Sequence, residues 1–231
     1  MTKELPTIPG GWTETSVSVL HCDFHLQVPA QPDEFLDDPA VQQESEESDY
    51  MPYWPYLWGS APLMARLILQ AEWVSGTRAL EIGAGIGLVG LAGLAAGLDV
   101  TFSDYDAAAV QLSLANSRSN GFSNAAGLVL DWRNLASSSM PERFPVILGC
   151  DVIYEPQVHK PILNVLGRLL VSGGLCWIAD PGRAEAVTFI EMARQRGYCV
   201  SIRDEAGAEL DSPAINQFQM LILQDSADGQ W

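Results

Sequence analysis

The chain has 231 residues, 48% of them hydrophobic, which suits one globular unit with a substantial core. Its 29 acidic against 12 basic side chains leave a formal net charge of -17, which opposes binding to a phosphate backbone and argues against nucleic acid as a partner. The most apolar uncharged run, Ile82 to Leu98, is broken by glycines and falls short of the roughly 20 residues a bilayer needs, and Met1–Gly10 has no basic region followed by an apolar run, so neither membrane anchor nor signal peptide is expected.

Residues 1–52 read as an N-terminal extension. Within it, Thr15–Pro29 alternates with Val17 and Val19 on one parity and Phe24, Leu26 and Val28 on the other. The change of parity requires a bulge or turn near His21–Asp23, and so predicts an antiparallel hairpin. His21 and His25 stand four apart in a strand-like segment, and ordinary histidines are expected there rather than metal ligands. No Lys or Arg occurs between Lys3 and Arg66, while Asp33, Glu34, Asp37, Asp38, Glu44, Glu46, Glu47 and Asp49 crowd one stretch. That composition predicts a solvated, partly disordered acidic loop; it also suits a negative rim that attracts a cationic, lysine-bearing substrate. The aromatic segment Tyr53-Trp54-Pro55-Tyr56-Leu57-Trp58-Gly59 follows, and then a helix from Ser60, as N-cap, to about Val74.

From Arg78 the pattern alternates. Strands are expected over Arg78–Ile82, Asp99–Ser103, Gly127–Leu130, Pro145–Gly149 and Leu175–Ala179. Helices are expected over Ile86–Ala96, Asp106–Asn120, Pro156–Val171 and Ala184–Arg196, with Tyr198–Arg203 and Phe218–Gln224 as a closing strand pair. Short apolar strands separated by helices predict an α/β fold, a doubly wound and mainly parallel seven-stranded sheet covered on both faces. Its ligands would bind at the carboxyl ends of the strands, beside the topological switch. None of Cys22, Cys150, Cys176 and Cys199 forms a C-x-x-C spacing, so buried thiols in a reducing cytoplasm are expected rather than a disulfide framework or a zinc site.

The first of these strands ends in Glu81-Ile82-Gly83-Ala84-Gly85-Ile86-Gly87. A glycine turn between strand and helix lets backbone approach a ligand and aims helix N–H groups at an anion. Gly85, Gly87 and Gly90 also satisfy G-x-G-x-x-G, the dinucleotide spacing, which keeps a nicotinamide-dependent dehydrogenase open. Glu81 separates the two ligands. A carboxylate repels a pyrophosphate, whereas it can meet the ammonium of S-adenosylmethionine; alternatively it is a strand-end acid facing solvent. Asp104, about 20 residues past the turn, can accept both ribose hydroxyls, with Tyr105 against the adenine. Asp131 can accept from the adenine amino group, and Trp132 offers a flat indole face or else packs in the core.

From about Tyr53 onward the sequence resembles the class I, seven-β-strand methyltransferases that use S-adenosylmethionine, so 53–231 reads as a methyltransferase domain with a Rossmann-like fold. Glu81–Gly87 looks like their first motif and Asp104 like their ribose-binding acid. More narrowly the chain is similar to the nicotinamide-N-methyltransferase-like group, which contains many protein-lysine methyltransferases. Tyr53–Trp58 looks like the group's aromatic lead-in, whose last Trp, here Trp58, flanks the cofactor. Cys150-Asp151-Val152-Ile153-Tyr154 looks like its motif after the fourth strand, with Cys150 at the cofactor. Asp180-Pro181-Gly182-Arg183 is similar to a segment of enzymes that methylate the electron-transfer flavoprotein β subunit, although Trp58-Gly59 replaces their Trp-Pro and the acidic stretch has no match there. The resemblance implies a protein-lysine methyltransferase, with a small-amine N-methyltransferase as the alternative. Asp151 and Tyr154 would be its catalytic and substrate-binding pair, Asp151 holding the acceptor amine and Tyr154 walling its channel. Asp151 could instead be a capping or buried structural acid, Tyr154 core packing, and Arg183 either a substrate contact or the partner of a surface acid. A non-catalytic domain that binds cofactor and a partner is the reading from another class.

Overall fold

The computed structural model describes residues 5–48, 51–135 and 142–225. The chain opens with a hairpin of β1 (Trp12–Val19) and β2 (Cys22–Pro29), then runs through α1 (Pro32–Leu36), α2 (Pro39–Ser48) and α3 (Ser60–Gln70). The alternating part follows as β3 (Arg78–Ile82), α4 (Leu88–Ala95), β4 (Asp99–Asp104), α5 (Ala107–Ser119), β5 (Ala126–Val129), β6 (Phe144–Cys150), α6 (Pro156–Leu169), β7 (Leu170–Asp180), α7 (Glu185–Gln195), β8 (Tyr198–Arg203), β9 (Glu209–Leu210) and β10 (Gln219–Asp225).

The sheet order is β5-β4-β3-β6-β7-β10-β8-β9, parallel from β5 to β7 and antiparallel where β10 enters between β7 and β8. The expected doubly wound α/β sheet is thus borne out. It has one strand more than expected because the two-residue β9 pairs with Ile202 and Arg203 at the edge. Alternation along each strand feeds two cores. Val146 and Leu148 of β6 face a cluster with α3, α4, α5 and the hairpin, while Ile147 between them faces α6 and α7.

The hairpin closes on Leu20–His21 and belongs to the first cluster through Phe24 and Leu26. Its β2 edge is satisfied by a helix. The Asn116 amide brackets the Gln27 backbone, with bonds of 2.7 and 3.1 Å, and the Asn120 amide brackets that of His25, with bonds of 2.9 and 2.7 Å. One turn of helix rises about 6 Å, close to the ~6.8 Å of two strand residues, so two asparagines four apart stand in for a neighbouring strand.

The acidic stretch is helical rather than a disordered loop. Pro32 and Pro39 start its two helices, Asp38 accepts from the N–H groups of Ala40 and Val41, and Phe35 packs edge-on against Trp54 at 5.1 Å. Glu44, Glu46 and Glu47 lie on α2; Asp49 is outside the described residues. Gly59, not Ser60, is the N-cap of α3, and that helix stops at Gln70, after which Trp73 packs on Trp177. Of the cysteines only Cys176 is buried; Cys199 sits at an outward position of β8 and is exposed, contrary to expectation.

Gly90 shows why the third glycine of the spacing is present. A Cβ there would lie 2.3 Å from the Phe102 ring and 2.4 Å from Glu81 Oε2. Gly→Ala inside a helix ordinarily stabilises by about 1 kcal/mol. Here overpacking against a buried ring should reverse the sign, and Gly90→Ala is expected to cost about 1–3 kcal/mol in chemical denaturation. A more stable variant would contradict this packing.

Candidate functional site

A cavity of about 520 Å³ opens at the carboxyl ends of β3, β4 and β6, where the chain leaves β3 for one side of the sheet and returns on the other. It is within the usual size range of small-ligand sites. Every residue expected at the cofactor or acceptor lines it except Arg183, which stands behind Asp151.

The floor is the glycine turn, where Gly83, Gly85 and Gly87 have φ of 64°, 50° and 89°. A Cβ on Gly83 would strike Val152 at 2.8 Å and the Trp132 ring at 3.3 Å, so the turn lies flat against the indole. Glu81 is 2% exposed, and its Oε2 accepts from Gly90 N–H at 3.0 Å, joining β3 to the first turn of α4. Burial holds its carboxyl well above the usual range, opposed by that N–H and reinforced by the charge of Asp104.

Asp104 ends β4. Its Oδ2 accepts from Gly85 N–H at 2.9 Å and its Oδ1 from Asp106 N–H at 3.0 Å, with the Tyr105 N–H also contributing, and the carboxylate keeps acceptor capacity for a ribose hydroxyl. Burial raises its carboxyl from 3.8 to about 6, the backbone donors offsetting only part of the effect. After β5, Asp131 pairs with Arg133, and the Arg133 guanidinium lies over the Tyr105 ring at 4.9 Å. Arg133 lines the cavity and had no place in the sequence reading; its position two residues after Asp131 was the available signal.

At the end of β6, Asp151 is 7% exposed and has φ of 58°, a left-handed conformation that costs a non-glycine residue about 1–3 kcal/mol and is typical of functional sites. Its Oδ1 lies 2.8 Å from Arg183 Nη1, and its Oδ2 meets the Cys150 thiol at 3.5 Å. Arg183 pairs with two acids, Asp151 and Asp180, both buried rather than on the surface. The acid behind it, Asp180, is the last residue of β7 and fully buried; the sequence places it in the Asp180–Arg183 segment but gives it no role, because its partners come from β6 and β10. Burial pushes the Tyr154 hydroxyl up to about 12, so it stays protonated, and the ring stands edge-on to Tyr53 at 5.7 Å. Tyr53 in turn stands edge-on to Trp58 at 6.0 Å, which makes an aromatic rim at the mouth. Trp54 turns inward, 5% exposed, with its carbonyl near Gly85.

These residues fit S-adenosylmethionine: a buried carboxylate for the ammonium, a diol acceptor, and aromatic faces around an apolar-floored space. The fit makes binding pH-dependent. Ribose hydroxyls favour ionised Asp104, and a ligand ammonium favours ionised Glu81. Both carboxyls start above the usual range, and the Asp104 contribution to S-adenosylhomocysteine affinity should hold above about pH 6 and fall as pH drops through it, by up to about tenfold per pH unit; Glu81 acts in the same direction. Without ligand the sign reverses. The stability gained from protonated Asp104 is fully present below 3.8 and is lost as pH rises through about 6. Calorimetry at pH 5 and 7.5 measures the first effect; equal affinities would contradict it.

Among the described residues no helix is long and apolar enough to cross a membrane, and no group of three His, Cys, Asp or Glu is placed to hold a metal. Residues 43–196 match the family described as lysine methyltransferase. The mouse protein N-lysine methyltransferase METTL21A is 30% identical over 149 residues, 63% of this chain and 68% of that protein. The histidine protein methyltransferase 1 homolog of Dictyostelium discoideum is 34% identical over 110 residues, 46% of this chain but 36% of that one. The chain thus spans from about a third to two thirds of these relatives. Among solved structures, the T. thermophilus 16S rRNA N2 G1207 methyltransferase in complex with AdoMet and guanosine superposes with a TM-score of 0.64 at 18% identity, over 96% of this chain and 53% of that one. NodS from Bradyrhizobium japonicum in complex with S-adenosyl-l-homocysteine gives 0.57 at 17%, over 81% and 99%. At such identities the likeness establishes the Rossmann-like methyltransferase fold. The family match covers well over half of the sequence and agrees with the resemblance carried by Glu81–Gly87 and Asp151–Tyr154: the chain belongs to the lysine methyltransferase family, whose cofactor is S-adenosylmethionine.

Proposed function

We propose that this protein methylates the side-chain amine of a lysine in a protein substrate. The observation that carries the reading is Asp151, a buried carboxylate in a strained left-handed conformation on the wall of the cavity, with hydrogen-bonding capacity left on Oδ2. When bound, S-adenosylmethionine supplies a methyl group on a sulfonium: the amine lone pair forms the N–C bond as the C–S pair returns to sulfur, leaving a thioether and a methylated ammonium. The protein's part is to position and to exclude water. Asp151 accepts an N–H of the acceptor and aligns its lone pair. Tyr154, kept neutral, walls the channel with Tyr53. Asp151 is an orienting group rather than a strong base, since a carboxylate favours the protonated amine.

The acidic helices suit a basic segment on the substrate. Tyr56 at the cavity mouth donates its hydroxyl to Asp33 at 2.5 Å, which ties that acidic surface to the site. Incubation with labelled S-adenosylmethionine and a cell lysate, followed by mass-spectrometric mapping, tests the reading. Label on a lysine of a protein supports it. Label confined to small amines, or to protein histidines as the name of the Dictyostelium relative suggests, contradicts it.

A further inference from the structure

Arg183 Nη1 lies 2.8 Å from Asp151 Oδ1 and 3.0 Å from Asp180 Oδ2. The two carboxylates are nearly inaccessible, with side chains 4% and 0% exposed, and the Arg183 side chain is 23% exposed, so this cluster of two acids and one base carries a formal charge of -1 with both acids away from water. Asp180 is satisfied within the chain. Its Oδ1 accepts from the N–H groups of Gly182 and Arg183 at 2.8 and 2.7 Å and faces Gln219 Nε2 at 3.4 Å. Both the backbone and the guanidinium of Arg183 are therefore anchored on Asp180, independently of Asp151. Asp151 is engaged unequally: one oxygen holds the guanidinium, and the other meets only a weak thiol donor among the described residues.

This asymmetry answers a conflict in lysine chemistry. A lone carboxylate beside the acceptor stabilises its ammonium, which has no lone pair with which to attack. At ~5 Å and an effective dielectric of ~20, one unit charge displaces the amine's titration by about two pH units. A cation on the far oxygen offsets one of the cluster's two negative charges, so that its net charge is -1 rather than -2, yet leaves the near oxygen able to accept an N–H. We propose that Arg183, held by Asp180, is a positioning residue that tempers the charge of Asp151, so that Asp151 orients the acceptor amine without fixing it as an ammonium. The inference rests on the lysine reading above.

Other charges face the same space: Glu81 from β3, Asp104 from β4, the Asp131–Arg133 pair after β5, and Glu155 with Cys150 and Tyr154 around the end of β6. Tyr53 and Tyr56 stand at the mouth and Tyr105 on the wall. All are shared by the wild type and an Arg183 variant, so they cancel in the difference between two pH profiles.

The experiment measures turnover against pH at saturating S-adenosylmethionine, on a synthetic peptide carrying the lysine mapped in the lysate experiment. In Arg183→Gln the acidic limb should move to higher pH by on the order of one pH unit, with the rate recovering at alkaline pH. Arg183→Lys, which keeps the charge, should leave the limb in place. The double variant Asp151→Asn/Arg183→Gln should return the limb towards the wild-type position at a lower plateau. S-adenosylhomocysteine affinity, measured on each variant, shows that the pocket is folded; Arg183→Met takes the place of Arg183→Gln if the latter does not fold. An unmoved limb, a rate lost equally at every pH, or a limb displaced as far by Arg183→Lys would overturn the inference. A wild type that labels no protein lysine would instead overturn the lysine reading itself.

Discussion

Asp104→Ala is expected to weaken binding of S-adenosylhomocysteine by more than about 100-fold while changing stability little. Two charge-assisted hydrogen bonds to a ribose diol, at about 1.5–3 kcal/mol each, amount to two to four decades of affinity. The stability terms oppose each other. Removing the carboxylate leaves the N–H groups of Gly85 and Asp106 without their partner, which costs about 1–3 kcal/mol apiece. It also relieves the burial penalty expressed in the rise from 3.8 to about 6, roughly 3 kcal/mol at neutral pH. The binding effect therefore dominates, and calorimetry together with a thermal melt separates the two. A variant that is folded and binds within about threefold of wild type would remove Asp104 from the cofactor site.

The second large effect belongs to Asp151→Asn, which should lower turnover by about 100–1,000-fold and leave S-adenosylhomocysteine affinity within about threefold, the range expected for losing one positioned polar group. Asparagine tolerates the left-handed backbone at φ of 58° better than most residues, so the loop should persist. Asp180 continues to hold Arg183. The split between rate and affinity is the informative readout. Equal losses of both would place Asp151 at the cofactor rather than at the acceptor.

Much of this site was legible because its residues are arranged by chain order. Glu81 and Asp104 stand in the last two positions of β3 and β4 and Asp131 just after β5, and a parallel sheet brings successive strand ends to one edge. The glycine turn was legible for the same reason. What lay hidden depends on contacts between distant segments. The acidic stretch lacks an apolar stripe, so its helices could not be read from periodicity; the burial of Phe35 against Trp54 supplies a tertiary contact that the local pattern omits. The choice of Trp54 as the inward indole and Trp58 as the outward one is likewise made by Trp12 and Phe35. The Asp180–Arg183 segment was visible as a likeness, but the role of Asp180 emerges only when β10 brings Gln219 beside it and Arg183 turns back to Asp151.

Titration of the wild-type protein with S-adenosylmethionine, S-adenosylhomocysteine and a nicotinamide dinucleotide is the most direct check that one cavity serves a sulfonium nucleoside. Saturable one-to-one binding of the first two, with none of the dinucleotide, is the expected result. Binding of the dinucleotide, or silence with all three, would mean that the Gly83–Gly87 turn and its two buried carboxylates have been assigned to the wrong ligand.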